Sequence, residues 1–557
     1  MGGGALAFGA AMQHDSGMSA PSKKTRALVA ALATAGLLAG CNAGAGTTDP
    51  TPSPDAGGTA PAGSDGSTDD GSATGGTEED EGTAGGGSDE TVRVGLVAEP
   101  ASLDFTTTDG AAIPQLLLDN VYETLVTVDV ESGDIVGALA TDWEVSEDNL
   151  TYTFTLKEGV KFSDGSDLTA EDAKFSLERV SSDAWTISLK SQLDVVDSVE
   201  APDDTTLVVT LKQPSNHFLY AITTHVGAIF DTQGVDNLAE EAIGTGPYTF
   251  QSWDRGSKIT LARNDDYHGD APYFAGVEMF YFKDANALNN AMLTDSIDVV
   301  STVQAPESLA EFEGGDYTIV EGTTNGEIVL SMNQEEGKPL ADLKLRQAVR
   351  HAIDHQTLLD TCWAGRGELI GSMAPPTDPW FEDRTGDYPF DLEKAKSLIA
   401  EAGAEGTELR LRLPALPYAQ SCGPVVESML EDAGLAITID ELEFPAAWLE
   451  TVFTNKDFDM SIVSHVEPRD MANVFGSPDY YTTYGTEEVQ ALFEAADTGS
   501  EEEQVAKMKE AAQLISEDAA ADFLFLLPNL MVSDPDITGL PTNAITPSFN
   551  LAKLARG

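Results

Sequence analysis

The stretch Gly159-Val-Lys-Phe-Ser-Asp-Gly-Ser-Asp-Leu-Thr-Ala-Glu-Asp-Ala-Lys-Phe-Ser176 governs how the body of this chain is read. Its Glu158-Gly159 and Asp164-Gly165 pairs are turn signals. Thr169-Ala-Glu-Asp172 then opens a helix, with a hydroxyl for the orphan amides and acids against the dipole. On either side lie strand patterns, Thr151-Tyr-Thr-Phe-Thr-Leu156 and Thr206-Leu-Val-Val-Thr-Leu211, the latter preceded by the turn Pro202-Asp203-Asp204. Further out, Val92, Val94 and Leu96 alternate as a strand that Glu99-Pro100 ends. Leu116, Leu117, Val121 and Leu125 fit one helix face, with Pro114 near its start. Strand-like segments with Gly/Asp turns fill 248–282. Beyond about residue 339, helices are expected at Leu343–Leu359, Leu392–Ala402 (capped by Asp391), Pro424–Ala433 and Glu487–Ala496. Strands at Leu409–Leu413, Ile437–Leu442 and Met460–Val463 alternate with them, which is the pattern of an α/β lobe.

Composition narrows the function. The 557 residues carry 94 acidic and 30 basic side chains, a net charge of −64. A nucleic-acid binder needs a basic footprint, so that class is excluded. With 41% hydrophobic residues there is material for a large core, and the length suits two to four domains or subdomains. The acidity is spread over the body, as in proteins adapted to salty surroundings.

The N-terminus reads as an address. Lys23, Lys24 and Arg26 precede a charge-free stretch from Ala27 to Gly40, too short for a bilayer span of about 20 residues but suited to a signal-peptide core. It ends Leu38-Ala39-Gly40-Cys41, which resembles a bacterial lipobox and implies cleavage before Cys41 and lipidation of its sulfur. A plain secretory signal with an incidental Cys is the alternative. Residues 1–41 are therefore expected to be a lipoprotein signal peptide, for which Met18 makes a more natural start than Met1. Residues 42–90 hold 11 acidic and no basic side chains, with no aromatic, Leu, Ile or Val. Such a segment cannot offset chain entropy and reads as a disordered, self-repelling spacer. In an oxidising compartment the remaining Cys362 and Cys422 are expected to pair as a disulfide.

Several blocks then resemble the solute-binding proteins of ABC importers, dipeptide/oligopeptide-binding family (family 5). The Gly159–Ser176 stretch is similar to that family's signature at nearly every position, departing at Ser163 (usually His) and Asp167 (usually Pro). Ser102-Leu-Asp104, Val121-Tyr-Glu-Thr-Leu-Val126 and Ala138-Leu-Ala-Thr-Asp-Trp-Glu-Val-Ser146 lie ahead of it, and Gly244-Thr-Gly-Pro-Tyr248 and Arg263-Asn-Asp-Asp-Tyr267 after it, each resembling a family block in the expected order. Leu345-Arg-Gln-Ala-Val-Arg-His-Ala-Ile-Asp354 and Phe390-Asp-Leu-Glu-Lys-Ala-Lys396 complete the set, which spans roughly residues 92–550. The Gly244–Tyr248 glycines lack the spacing and Lys of a P-loop and read as a tight turn into a strand.

The resemblance implies a two-lobed α/β periplasmic-binding-protein-like fold that closes by hinge motion. Lobe I would comprise 91–135, 242–330 and 525–557, with a strand-rich subdomain, 136–241, inserted in it. Lobe II would be 331–524, and hinge strands would lie near Ile328–Asn333 and Phe523–Pro528. The implied role is a non-catalytic, monomeric, lipid-anchored receptor on the extracytoplasmic face of the bacterial cell membrane. It would deliver di- or oligopeptides to an ABC permease whose ATPase subunits hydrolyse ATP. A nickel complex, haem or an oligosaccharide is the alternative ligand. A surface hydrolase, or a sensory or adhesive lipoprotein, is the alternative from another class.

By the same resemblance, the peptide would lie extended, with a carboxylate at its α-amino group. Asp109, Gly110 and Ala111 are candidates for one edge of the cleft. On the other side, Ser464-His-Val-Glu-Pro-Arg-Asp470 stands where peptide binders often have Gly-Trp followed by an amine-binding Asp. Glu467 or Asp470 would supply that carboxylate, and Arg469 would pair with a ligand carboxylate or with one of these acids; a self-neutralising surface cluster is the other reading. Trp380, Tyr480 and Tyr481 are candidate lining aromatics. His351 and His355 have metal-ligand spacing, but no H-E-x-x-H order or Cys/His cluster accompanies them, so no metal or cofactor is expected. No nucleophile elbow or Walker motif is present.

Overall fold

The structure, a computed structural model, describes residues 87–108 and 110–557. The signal peptide, Cys41 and nearly all of the 42–90 spacer lie outside the described residues. Among the described residues no helix is long and apolar enough to cross a membrane.

Alternation decides the small sheet. In Thr151–Leu156 and Thr206–Leu211 every second residue is apolar, and those residues (Tyr152, Phe154, Leu156; Leu207, Val209, Leu211) turn inward. The two strands pair antiparallel between Ala140–Val145 and Val196–Asp203. Helix Ala170–Val180 packs against the sheet through Ala173, Leu177 and Val180. Its start is held as the sequence implies: Asp172 accepts hydrogen bonds from the Thr169 amide (3.0 Å) and hydroxyl (2.8 Å).

A ten-stranded mixed sheet carries the rest of the fold. From one edge its strands are Ala436–Leu442, Glu408–Pro414, Met460–His465, Thr318–Met332, Ala521–Ser533, Val299–Val300, Thr91–Leu96, Gly276–Tyr281, Lys258–Arg263 and Tyr248–Asp254. The two long central strands pair antiparallel, and their ladder is interrupted between Thr323 and Glu327. On one side of the break, Thr318–Thr323 face Ser533–Pro528; on the other, Glu327–Ser331 face Leu526–Ala521. Different cores build up on the two sides. Val92, Leu103, Tyr122, Phe154 and Leu261 belong to one, and Ile328, Leu345, Leu411, Val426 and Phe525 to the other.

The Gly244-Thr-Gly-Pro turn leads into Tyr248–Asp254. A β-carbon on Gly244 would collide with the Val121 carbonyl, and one on Gly246 with the Asn120 carbonyl, so close backbone approach requires both glycines.

Four expectations need correction. Leu343–Leu359 is two helices, Leu343–Ala352 and His355–Cys362, because Ile353 turns extended and Asp354 caps the second, accepting from the Thr357 amide at 3.1 Å. His351 and His355 therefore do not share one helix face. His351 contacts the Pro389 carbonyl and His355 contacts Asp522. The expected Pro424–Ala433 helix begins at Pro417 and contains Pro424, its first turns being held by buried Tyr418, Ala419 and Cys422. The helix around Leu116 ends at Leu117, since Asp119 adopts positive φ and the chain turns there. The expected helices Leu392–Ala402 and Glu487–Ala496 and the strands at Leu409–Leu413, Ile437–Leu442 and Met460–Val463 fall where the pattern put them to within two residues, whereas helices Ala285–Leu293 and Glu501–Glu517 were not expected.

Cys362 and Cys422 form a disulfide that ties helix His355–Cys362 to helix Pro417–Asp432. Loop closure over their 60-residue separation corresponds to about 4 kcal/mol of chain entropy. Replacing both with Ala should lower the denaturant midpoint of this lobe accordingly, and reductant should mimic the double variant. Identical midpoints would contradict the assignment of the bridge as a stabilising tie.

Candidate functional site

Strand Met460–His465 runs buried through the sheet, antiparallel to Thr318–Met332, and surfaces at its last two residues. His465 stands opposite Glu327 in that register. Glu327 lies just beyond the ladder break, where Thr324, Asn325 and Gly326 leave the pairing. The Gly326 amide donates to Thr324 Oγ1 (2.8 Å), which in turn donates to the Leu527 carbonyl (2.7 Å), and Asn325 Nδ2 donates to the Ile545 carbonyl (2.9 Å).

After His465 the chain forms the loop 466–470 and then the short helix Met471–Phe475. The loop is not an exposed salt-bridge cluster. Asp470 is 7% exposed and Glu327 3% exposed. Burial, together with the charges of Asp470 and Asp378, pushes Glu327 well above the usual carboxylate range. Burial, then Glu467 and Asp378, does the same to Asp470. Asp378, which keeps some contact with solvent, is pushed up to about 7 by burial against the opposing pull of Arg469. The Oε2 atom of Glu327 has no hydrogen-bond partner among the described residues.

Arg469 takes a left-handed backbone conformation, φ 57°. Its guanidinium lies 3.9 Å from the ring centre of Tyr220 and 5.5 Å from that of Trp380. Tyr220 belongs to the segment that follows the four-stranded sheet, so this stacking joins that part of the chain to the charged loop. A second set of bonds joins the same segment to the end of helix Glu487–Thr498. Ser215 Oγ (2.8 Å) and the His217 amide (2.9 Å) donate to Asp497 Oδ1. Asn216 Nδ2 donates to the carbonyls of Ala496 and Gly499, both at 2.9 Å, at the C-terminus of helix Glu487–Thr498. Between the two sets lies a cavity of about 400 Å³, lined by Asn216, His217, Tyr220, Trp380, Arg469 and Asn473 among others. Its size falls within the range of small-ligand sites.

His465 holds the wall behind the loop. Its Nε2 is 2.8 Å from the Tyr481 hydroxyl, which in turn is 2.8 Å from Ser331 Oγ. The 3.7 Å approach of His465 to Asp470 is not a charged pair, because burial lowers the imidazole to about 4 and keeps it neutral. This hydroxyl–imidazole–carboxylate series cannot serve a hydrolase: the Ser331 hydroxyl is fully buried and Tyr481 separates it from His465.

The structure thus brings Trp380, Glu467, Arg469 and Asp470 together. Tyr481, 1% exposed, packs with Trp448, Val452 and Phe458, and Tyr480 stacks edge-on against Phe453. Gly110 and Ala111 lie on the exposed turn before helix Ala112–Leu117, and Asp109 is outside the described residues. The sequence reading missed Glu327, Asp378, Tyr220 and Asp497. Glu327 did carry a signal, a single acid at the head of the apolar run Ile328-Val-Leu330 of an expected buried strand, since unpaired acids are rarely buried.

The pH dependence follows from the raised carboxyls. Asp378 faces Arg469, Glu327, Asp470 and Tyr220. Between its unfolded value near 4 and about 7, the folded chain holds a proton that the unfolded chain releases. Stability from this group is therefore present at low pH and lost as pH rises through that window. Asp378→Asn should raise the melting temperature of the ligand-free protein more at pH 8 than at pH 5; an equal effect at both would contradict the shift.

Comparison with known proteins places these features. Residues 134–487 match the family model described as bacterial extracellular solute-binding proteins, family 5, middle. The chain is 24% identical over 506 residues to the "Probable D,D-dipeptide-binding periplasmic protein DdpA" of Escherichia coli K12, covering 83% of this chain and 94% of that protein. Its fold is similar to that of DppA from Helicobacter pylori in complex with the peptide STSA, with TM-score 0.76 and 22% identity over 84% of this chain and 98% of the other. It is also similar to NikZ from Campylobacter jejuni in complex with Ni(L-His), with TM-score 0.72 and 20% identity over 84% of this chain and 100% of the other.

Proposed function

Because the chain belongs to the bacterial extracellular solute-binding proteins of family 5, a non-enzymatic family, we propose that it captures short peptides outside the cytoplasmic membrane and delivers them to an ABC permease. The observation that carries the peptide reading is a pairing of opposite demands around Arg469, which lines the cavity and is a cation within reach of a ligand carboxylate. Asp470, next to it in the chain, and Glu327, opposite His465 in the sheet, are buried acids in want of a cation. A zwitterionic peptide offers both groups. Its amine would replace protons on the acids, and its carboxylate would meet the guanidinium. The peptide-bound fold relative supports the same reading.

Haem and sugars are less well served. The rings of Tyr220 and Trp380 are taken up by Arg469 and do not form an open stacking platform. Closure would turn on the interrupted ladder at Thr324–Gly326, with the Asp497 bonds and the Arg469–Tyr220 stack as the contacts broken on opening.

Asp470→Asn removes the charge while keeping the shape. Titration calorimetry with Ala-Ala and Ala-Ala-Ala should show affinity reduced roughly tenfold to a hundredfold, the worth of a hydrogen bond to a charged group. Unchanged affinity would remove Asp470 as the amine anchor, and no binding of either peptide by the wild type would remove the peptide reading. The tether belongs to the same proposal, with Cys41 lipidated and 42–90 as spacer. Cys41→Ala should move the protein from the membrane fraction to the medium or periplasm; persistence in the membrane fraction would contradict a lipid anchor.

A further inference from the structure

Arg469 is a cation whose donors are unspent. Its guanidinium lies over the ring of Tyr220, 3.9 Å from the ring centre, and 5.5 Å from that of Trp380. Among the described residues it makes no hydrogen bond and no ion pair. An arginine carries its five N–H donors in the plane of the guanidinium, so one that lies over a ring face keeps that rim for a carboxylate. Arg469, Tyr220 and Trp380 all line the cavity of about 400 Å³. The Arg469 backbone is left-handed, φ 57°, a conformation that costs an L residue energy and that surrounding contacts must hold.

The two partners of the stack come from different parts of the chain. Tyr220 is 6% exposed and packs with Val128 and Ile545, whereas Arg469 follows strand Met460–His465. Just ahead of Tyr220, Ser215 and His217 are bonded to Asp497, and Asn216 to the carbonyls at the end of helix Glu487–Thr498. These bonds fix where the one-turn helix Phe218–Ala221 begins, and so where the Tyr220 ring meets the guanidinium.

We infer that Tyr220 is a positioning residue for Arg469, and that docking of segment 215–220 on helix Glu487–Thr498 assembles the receptor's reading of a ligand carboxylate. This rests on the peptide reading and deepens it: a peptide without a free carboxylate forfeits the part of its affinity that depends on Tyr220. Without the ring the arginine stem gains rotamer freedom, and fixing it again at binding costs affinity for the charged ligand alone.

Titration calorimetry on the full chain with Ala-Ala and Ala-Ala amide reads this contribution, because the two differ by one charge and hardly in shape. The wild type should bind Ala-Ala at least roughly tenfold tighter, the low end for a hydrogen-bonded charge. In Tyr220→Leu that ratio should shrink by roughly threefold or more, the worth of a cation–π contact. Tyr220→Phe, which keeps the ring, should retain it. Asp497→Ala, which releases the segment but leaves ring and guanidinium in the chain, should shrink the ratio too, and it decides the matter if Tyr220→Leu does not fold. An equal loss for both peptides in Tyr220→Leu, or a Phe variant that loses as much as the Leu variant, makes Tyr220 merely structural and overturns the inference. An unchanged ratio in Asp497→Ala overturns assembly by docking. Equal binding of the two peptides by the wild type, or tighter binding of the amide, overturns the inference while leaving the peptide reading in place. Failure of both peptides to bind the wild type overturns the peptide reading and this inference with it.

Discussion

The antiparallel pairing of Thr318–Met332 with Ala521–Ser533 is the constraint on which the rest of the molecule depends. Each strand is long enough to enter two hydrophobic cores, so the same two segments hold both halves of the fold. Their ladder would be a rigid connection if it were continuous. It is broken between Thr323 and Glu327, where the Gly326 amide donates to Thr324 Oγ1 and the side chains of Thr324 and Asn325 donate to the Leu527 and Ile545 carbonyls. That break also places an acidic side chain, Glu327, where a regular strand would bury an apolar one.

Binding chemistry follows from this placement. Met460–His465 pairs alongside and ends at the same level, so its loop delivers Glu467, Arg469 and Asp470 to the neighbourhood of Glu327. Several acids held together out of water disfavour their own ionisation, and the fold meets that cost with bound protons when no cation is present. A ligand amine relieves the same cost.

Much of this was legible in the chain. Alternation gave Thr151–Leu156 and Thr206–Leu211 to the residue, and the Thr169 and Asp391 caps marked their helices because side-chain capping is a local interaction. Asp354 is a cap of the same kind, yet it was absorbed into a longer apolar pattern, and the helix break there went unread. Pro424 misled in the opposite direction: tertiary packing and the disulfide carry a helix through a residue that locally argues for a boundary. The loop holding Glu467, Arg469 and Asp470 was visible as a dense charge cluster. Glu327, Asp378, Tyr220 and Asp497 come from segments far apart in sequence, and only the register of the long strands and the closure of the Asn216 segment on helix Glu487–Thr498 bring them in.

The central claim is that a buried, amine-seeking acid group defines what this protein carries. Native mass spectrometry of the full chain, released gently from membranes of its own host, tests it most directly. The account predicts an added mass matching short peptides, lost when the sample is brought to low pH, where protons compete for the acids. A nickel complex, a haem or a sugar mass in their place would contradict it.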